Sequence, residues 1–299
     1  MICRRWPPCR PWRGSRVAPI GPAWLFAPAN APRKAQGALA GGADVVVLDL
    51  EDAVPPSEKT AARAALPALA TLPRRGLLFV RVNAAGTPMC LRDIEAAVAA
   101  GADGIMLPKV ETDGDAGAAC WALSQFEAEQ GRAVPLHLVP LVETARGVLN
   151  LARVGWAARV RCVAFGSVDY EADLGLSGEA GQVAVEHARH TIVLGSRAAG
   201  LGAPVDGVTL DARDAARCGQ DAARARSLGF SGKLAIHPAQ IEPIQAAFRP
   251  SAAEVNWASE VVRGFAEATA AGSGATLVRG RLVDAPVLAQ AERLLARAG

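Results

Sequence analysis

From residue 23 to about residue 248 the chain keeps one rhythm, and that rhythm limits its fold more than any other feature. Short apolar runs recur at Trp24–Phe26, Val45–Leu48, Leu77–Val80, Gly104–Leu107, Leu136–Val142, Val160–Phe165 and Leu234–Ile236. Ala/Arg/Glu-rich stretches with helical spacing, such as Pro56–Leu69 and Asp211–Leu228, lie between them. A strand buried on both faces reads as an unbroken apolar run, so such runs flanked by amphipathic helices specify βαβ units around a parallel sheet. With a weakly marked seventh strand near Gly202–Val205, eight units fit into about 225 residues, near the ~250 of a closed eight-stranded barrel.

The polar residues separate a barrel from an open sheet. Strand after strand ends in charged or amide side chains: Asp49, Glu51 and Asp52; Arg81 and Asn83; Lys109 and Glu111; Glu143; Asp169; Asp206; His237. Barrel enzymes gather their chemistry at the C-terminal ends of all the strands, whereas an open sheet concentrates it at one switch point. No G-x-G-x-x-G follows the first strand. The expected fold is therefore α/β, a TIM-type (β/α)8 barrel over residues 21–249.

Past Phe248 the rhythm stops. Ser251 and Glu254 form a capping-box sequence ahead of Val255, Ala258, Val261, Val262 and Phe265, which predicts a helix. Gly272-Ser273-Gly274 reads as a hinge, Ala275–Val283 as a β-like stretch, and Pro286 opens a last helix. Residues 250–299 are thus a helical C-terminal extension, too small for an independent core and expected to pack on the barrel or on another subunit. Residues 1–20 carry Arg4-Arg5 but no hydrophobic segment behind them, so they fail as a secretory signal. They read as a disordered basic extension, or as residues upstream of the true start.

Composition excludes several classes. The net charge of +3 is too small to argue for nucleic acid, and no basic stripe interleaves with aromatics. No apolar run approaches the ~20 residues that span a bilayer. Cys3, Cys9, Cys90, Cys120, Cys162 and Cys218 show no CxxC spacing, which suits a reducing, cytoplasmic setting rather than a disulfide framework or a zinc site.

Among the strand-end residues, Glu143 and Asp169 follow consecutive strands, so their carboxylates can converge over the barrel mouth. Two carboxylates without Cys or His favour a hard cation such as Mg2+, which completes its shell with water and substrate oxygens. The alternative is that either acid caps the next helix or pairs with a nearby Arg such as Arg146. Arg81 ends an apolar strand and needs a partner: its fork fits a carboxylate or enolate-like oxyanion, or a bridge to Glu51 or Asp52. The cluster Asp49, Glu51 and Asp52 can orient Arg81 or hold waters, and Ser57 is the better cap for the helix that follows. His237 before Pro238 reads as a hydrogen-bonded corner or a base. His187 and His190 lack a third ligand and read as surface. Arg33 and Lys34, at the start of the first helix, are either solvated charges or a grip on a phosphorylated group. No G-x-S-x-G or Ser/His/Asp order offers a hydrolase triad.

Seven segments in order resemble the citrate lyase β-subunit-like branch of the HpcH/HpaI aldolase family. They are Leu25-Phe26-Ala27-Pro28-Ala29-Asn30, Leu48-Asp49-Leu50-Glu51-Asp52-Ala53-Val54, Val80-Arg81-Val82-Asn83, Leu107-Pro108-Lys109-Val110-Glu111, Val142-Glu143-Thr144-Ala145-Arg146-Gly147, Phe165–Gly175 and Gly232–Pro238. The resemblance implies Mg2+, with Mn2+ as substitute, on Glu143 and Asp169, and Arg81 on an oxyanion or carboxylate. It also implies CoA-thioester substrates, with Arg33 and Lys34 near the nucleotide end and His237 beside the substrate. The tail segment Gly280–Pro286 resembles the lid of the malyl-CoA and citramalyl-CoA lyases, whose lid Asp serves a neighbouring subunit as acid/base. Asp284 matches it, which implies a homo-oligomer, trimer or hexamer. The implied reaction is reversible cleavage of a 3-hydroxyacyl-CoA into an acyl-CoA and glyoxylate or pyruvate. Malyl-CoA thioester hydrolysis on the same site, guided by Asp284 or the Asp49–Asp52 acids, and a citrate lyase β-type subunit that needs a partner, are the alternatives.

Overall fold

The structure, a computed structural model, describes residues 20–156, 159–176 and 179–298. Cys3, Cys9 and all but the last residue of the expected 1–20 extension lie outside the described residues. Two compact units part between residues 247 and 248.

In the first unit, eight parallel strands close on themselves. They are β1 (Ala23–Pro28), β2 (Val45–Asp49), β3 (Leu77–Arg81), β4 (Gly104–Leu107), β5 (His137–Val142), β6 (Ala164–Phe165), β7 (Val205–Asp206) and β8 (Gly232–Ala235). Closure comes from β1, which pairs with both β2 and β8. The helices are α1 (Pro32–Ala40), α2 (Lys59–Ala70), α3 (Cys90–Ala99), α4 (Asp113–Glu129), α5 (Ala145–Asn150), α6 (Ser167–Asp173), α7 (Glu179–Ala198), α8 (Ala215–Leu228) and α9 (Ile241–Phe248). This is the expected TIM-type barrel.

Alternation along the strands decides what fills it. Side chains two apart share a face. One buried cluster takes Trp24 from β1, Val45 and Val47 from β2, Phe79 from β3, Met106 from β4, and Val139 and Leu141 from β5. The same parity continued one step towards the strand ends reaches Phe26, Asp49, Arg81 and Glu143. The inner face is thus apolar through the barrel and turns charged at its C-terminal end.

Local departures from expectation have local causes. Ser57 caps nothing: it sits in a 3-10 turn, Pro56–Glu58, and α2 starts after it without a side-chain cap. The proline pair Pro55-Pro56 fixes φ and starts that turn before a helix can. Helix α8 begins at Ala215 rather than Asp211, because Asp214 accepts from the Arg217 N–H at 2.8 Å and so closes the N-terminus there. Strand β7 starts only at the last residue of its expected window, just after Pro204, which has no N–H to give a ladder.

The second unit packs α10 (Ala252–Ala270) against α11 (Ala285–Ala298), with a hairpin of β9 (Thr276–Val278) and β10 (Arg281–Val283) between them in sequence. The Ser251–Glu254 capping box forms as read. Arg279 and Gly280, both at positive φ, make the two-residue turn that matches strand twist. Ala258, Val261, Val283 and Ala291 form its small core, flanked by Trp257, Phe265 and Leu294. Among the described residues, no helix is long and apolar enough to cross a membrane.

Candidate functional site

Register sets the first contact. Asp49 and Arg81 are paired neighbours on β2 and β3. Both point along the inward parity, so a fork meets a carboxylate: Arg81 Nε donates to Asp49 Oδ1 at 2.7 Å and Nη2 to Oδ2 at 2.5 Å. Asp49 is fixed in turn by the N–H groups of Glu51 and Ala53. Nη1 lies 3.0 Å from Glu51 Oε2, while Asp52, largely exposed, is 3.8 Å away. The Arg81 guanidinium also lies 4.9 Å from the centroid of the Phe26 ring. Arginine has five N–H groups, and Asp49 takes two, so the Nη1 pair and one on Nη2 remain for further acceptors. The bridge foreseen to Glu51 exists, but its main partner is Asp49.

Glu143 is almost fully buried, and its two oxygens differ. Oε1 accepts from the Lys109 backbone N–H at 2.8 Å. Oε2 is buried with no hydrogen-bond partner. Burial, then the charges of Asp169 and Glu51, pushes the carboxyl up to about 8, against the pull of Lys109. Gly166 makes the room, since a Cβ there would sit 2.3 Å from Oε2. An unpartnered carboxylate oxygen beside a second carboxylate is a hard-donor pair whose chemistry fits Mg2+. Among the described residues no group of three or more His, Cys, Asp or Glu side chains could hold a metal. Two protein ligands, with water and substrate oxygens for the rest, match magnesium's habit. Glu143 does not cap the next helix, since Thr144 caps α5, and Arg146 faces Glu111 at 3.6 Å; Asp169 lies in the first turn of α6, whose N-terminus has no side-chain cap.

Lys109 stands at the centre of these acids, although its position at a strand end was the only sign of it in sequence. Its Nζ donates to Glu51 Oε1 at 2.9 Å and lies 3.9 Å from Asp169 Oδ1. Burial alone lowers its pKa, but the Glu51 hydrogen bond and the surrounding acids outweigh that and raise it. Burial raises the Glu51 carboxyl, with Arg81 and Lys109 opposing. Beneath lies a further support that sequence did not reveal. The buried Lys59 Nζ donates to the carbonyls of Leu50 and Glu51 and to Asn83 Oδ1, and Asn83 donates to Asp93, which is held by Arg63.

Among the described residues of the first unit, the remaining candidates form no hydrogen bond or ion pair with these acids. Arg33 and Lys34 are exposed on the first turn of α1. His237 Nδ1 accepts from the Ala239 N–H at 3.1 Å, the geometry of a corner. His187 and His190 are exposed, and His190 faces Glu186. Asp206 is buried between Arg189 and the fully buried Lys233. Asp284 belongs to the second unit, where its Oδ1 accepts from the Val287 N–H at 3.4 Å and caps α11.

Residues 23–238 match the HpcH/HpaI aldolase/citrate lyase family. The chain is 37% identical over 284 residues to a citrate lyase subunit beta-like protein of Mycobacterium tuberculosis, covering 93% of this chain and 96% of that one. It is 32% identical to the mitochondrial citramalyl-CoA lyase of Homo sapiens over 90% of this chain and 82% of that one. Among solved structures, CitE from Mycobacterium tuberculosis in complex with magnesium, acetoacetate and coenzyme A superposes with a TM-score of 0.73 at 36% identity, covering 94% and 98% of the two chains. The chain belongs to the HpcH/HpaI aldolase/citrate lyase family.

Proposed function

We propose that this protein is a Mg2+-dependent carbon–carbon lyase that cleaves a 3-hydroxyacyl-CoA of the malyl-CoA or citramalyl-CoA kind, reversibly giving an acyl-CoA and glyoxylate or pyruvate. The observation that carries the reading is the unpartnered Oε2 of Glu143, buried beside Asp169 at the strand ends where Arg81 also stands. The relative that cleaves citramalyl-CoA, and the CitE structure with magnesium and coenzyme A, support the substrate class.

Glu143 and Asp169 would hold the ion, which when bound supplies Lewis-acid polarisation of the oxo-acid carbonyl. In cleavage a base takes the proton of the C3 hydroxyl, the C2–C3 bond breaks, and its electron pair passes to the thioester carbonyl as an enolate. The proton then returns to C2. Arg81, held rigid by Asp49 and Glu51, offers its remaining N–H groups to the enolate oxygen, a preorganised interaction that needs no rearrangement. Asp52 tunes the same fork from the surface. We assign the proton exchange to Asp284, acting on the barrel of a neighbouring subunit in a trimer or hexamer. Arg33 and Lys34 suit the phosphates of CoA, and His237 the substrate's edge.

The test is a screen of the purified chain with Mg2+, glyoxylate or pyruvate, and acetyl-CoA or propionyl-CoA, followed by both directions with the best pair. Condensation and cleavage that disappear with EDTA and return with Mg2+ are expected. No turnover in either direction, or turnover indifferent to EDTA, overturns the reading. Free malate formed from malyl-CoA without acetyl-CoA would point to thioester hydrolysis. Activity only on adding an acyl-carrier partner would point to a citrate lyase β-type subunit.

A further inference from the structure

Lys109 puts a positive charge of the chain's own among the acids that would meet the cation. Its Nζ lies 2.9 Å from Glu51 Oε1 and 3.9 Å from Asp169 Oδ1, while its backbone N–H holds Glu143 Oε1 at 2.8 Å. To make these contacts together the residue takes φ 54°, a left-handed conformation uncommon outside glycine. Such a conformation in a bulky side chain persists only where the surroundings over-determine it, and it collects at functional sites. Arg81 is engaged by Asp49 and Glu51, and Lys59 by the Leu50 and Glu51 carbonyls and Asn83.

We infer that Lys109 is the internal counter-ion of this site. Its ammonium balances Glu51 and Asp169 in the metal-free protein, withdraws from Asp169 when a divalent cation binds, and thereby weakens and sets that cation's affinity. The inference rests on the metal reading of Glu143 and Asp169. Its physical basis is the ordinary one that opposite charges a few ångströms apart attract and an arriving like charge must displace the resident one. Part of the effect is screened, because Lys109 is partly exposed.

Calorimetric titration of Mg2+ into the metal-free protein, with thermal melts before and after, tests it without reference to turnover. Lys109→Met is expected to bind Mg2+ about tenfold more tightly, equivalent to about 1.4 kcal/mol. It should also melt lower than wild type without metal and gain more on saturation. Lys109→Arg keeps the charge and should stay near the wild-type affinity. Lys109→Gly relieves the backbone while removing the ammonium, so tightening there too is expected even if the methionine variant folds poorly. Unchanged or weaker binding in the folded variants that lack the ammonium, with wild type binding normally, overturns the inference alone. Glu143→Gln separates the failures: if it binds Mg2+ as wild type does, or if wild type binds none, the metal reading itself falls and the inference with it.

Discussion

Glu143 is held in place by what surrounds it rather than by many bonds. One oxygen rests on a backbone N–H, the other on nothing, and the space beside it exists because residue 166 has no side chain. A methyl group at Gly166 would come within 2.3 Å of Oε2 and 2.5 Å of Glu143 Cβ, too close to any real carbon contact. Gly166→Ala should therefore push the carboxylate aside and cost about 1–3 kcal/mol of stability, the usual range for overpacking. It should also weaken Mg2+ binding. Urea denaturation and calorimetry of one preparation check both, and a variant as stable and as tight as wild type would show that Glu143 is free to swing. Arg81 is constrained differently, by a two-toothed grip on Asp49. Lysine cannot reproduce that fork, so charge alone does not define the position.

The elements differ in how plainly the sequence marked them. Strands β2, β3 and β5 bury three to five consecutive residues on both faces, so they read as apolar runs. Strand β6 holds two residues but ends the Val160–Phe165 run that marks it, whereas β7, also two residues, leaves little pattern of its own, and the window Gly202–Val205 only touches it. The acids and Arg81 were legible because a charge at the end of an apolar run is conspicuous. Their partnerships were not, since Asp49 meets Arg81 through strand register and Lys109 reaches the acids through a positive φ that a lysine does not advertise. Helix α11 gives the element-scale prediction. Asp284 caps its N-terminus, and asparagine caps about as well as aspartate. Asp284→Asn should leave the melting temperature nearly unchanged yet slow cleavage by about 10²–10⁴-fold if the carboxylate moves the proton. Asp284→Ala should lose about 1 kcal/mol of stability as well. Full turnover in the asparagine variant would reduce Asp284 to a cap.

At the scale of the whole molecule, the proposed acid/base role of Asp284 has two versions, on its own barrel or on a neighbour's. A ring of identical chains joined head to tail lets each tail reach the next barrel, so every site would draw on two subunits. Two inactive variants can reveal this. One carries Glu143→Gln with an intact tail; the other carries Asp284→Asn with an intact barrel. Mixed one to one during refolding or co-expression, chains that share sites should restore about a quarter of wild-type activity, because one in four barrel–neighbour pairings unites both native groups. If each tail serves its own barrel, no mixture holds a complete site, and activity stays at the level of the separate variants. Sedimentation of the mixture fixes whether trimers or hexamers formed. A mixture that assembles yet stays inactive would therefore count against exchange between subunits, rather than against assembly.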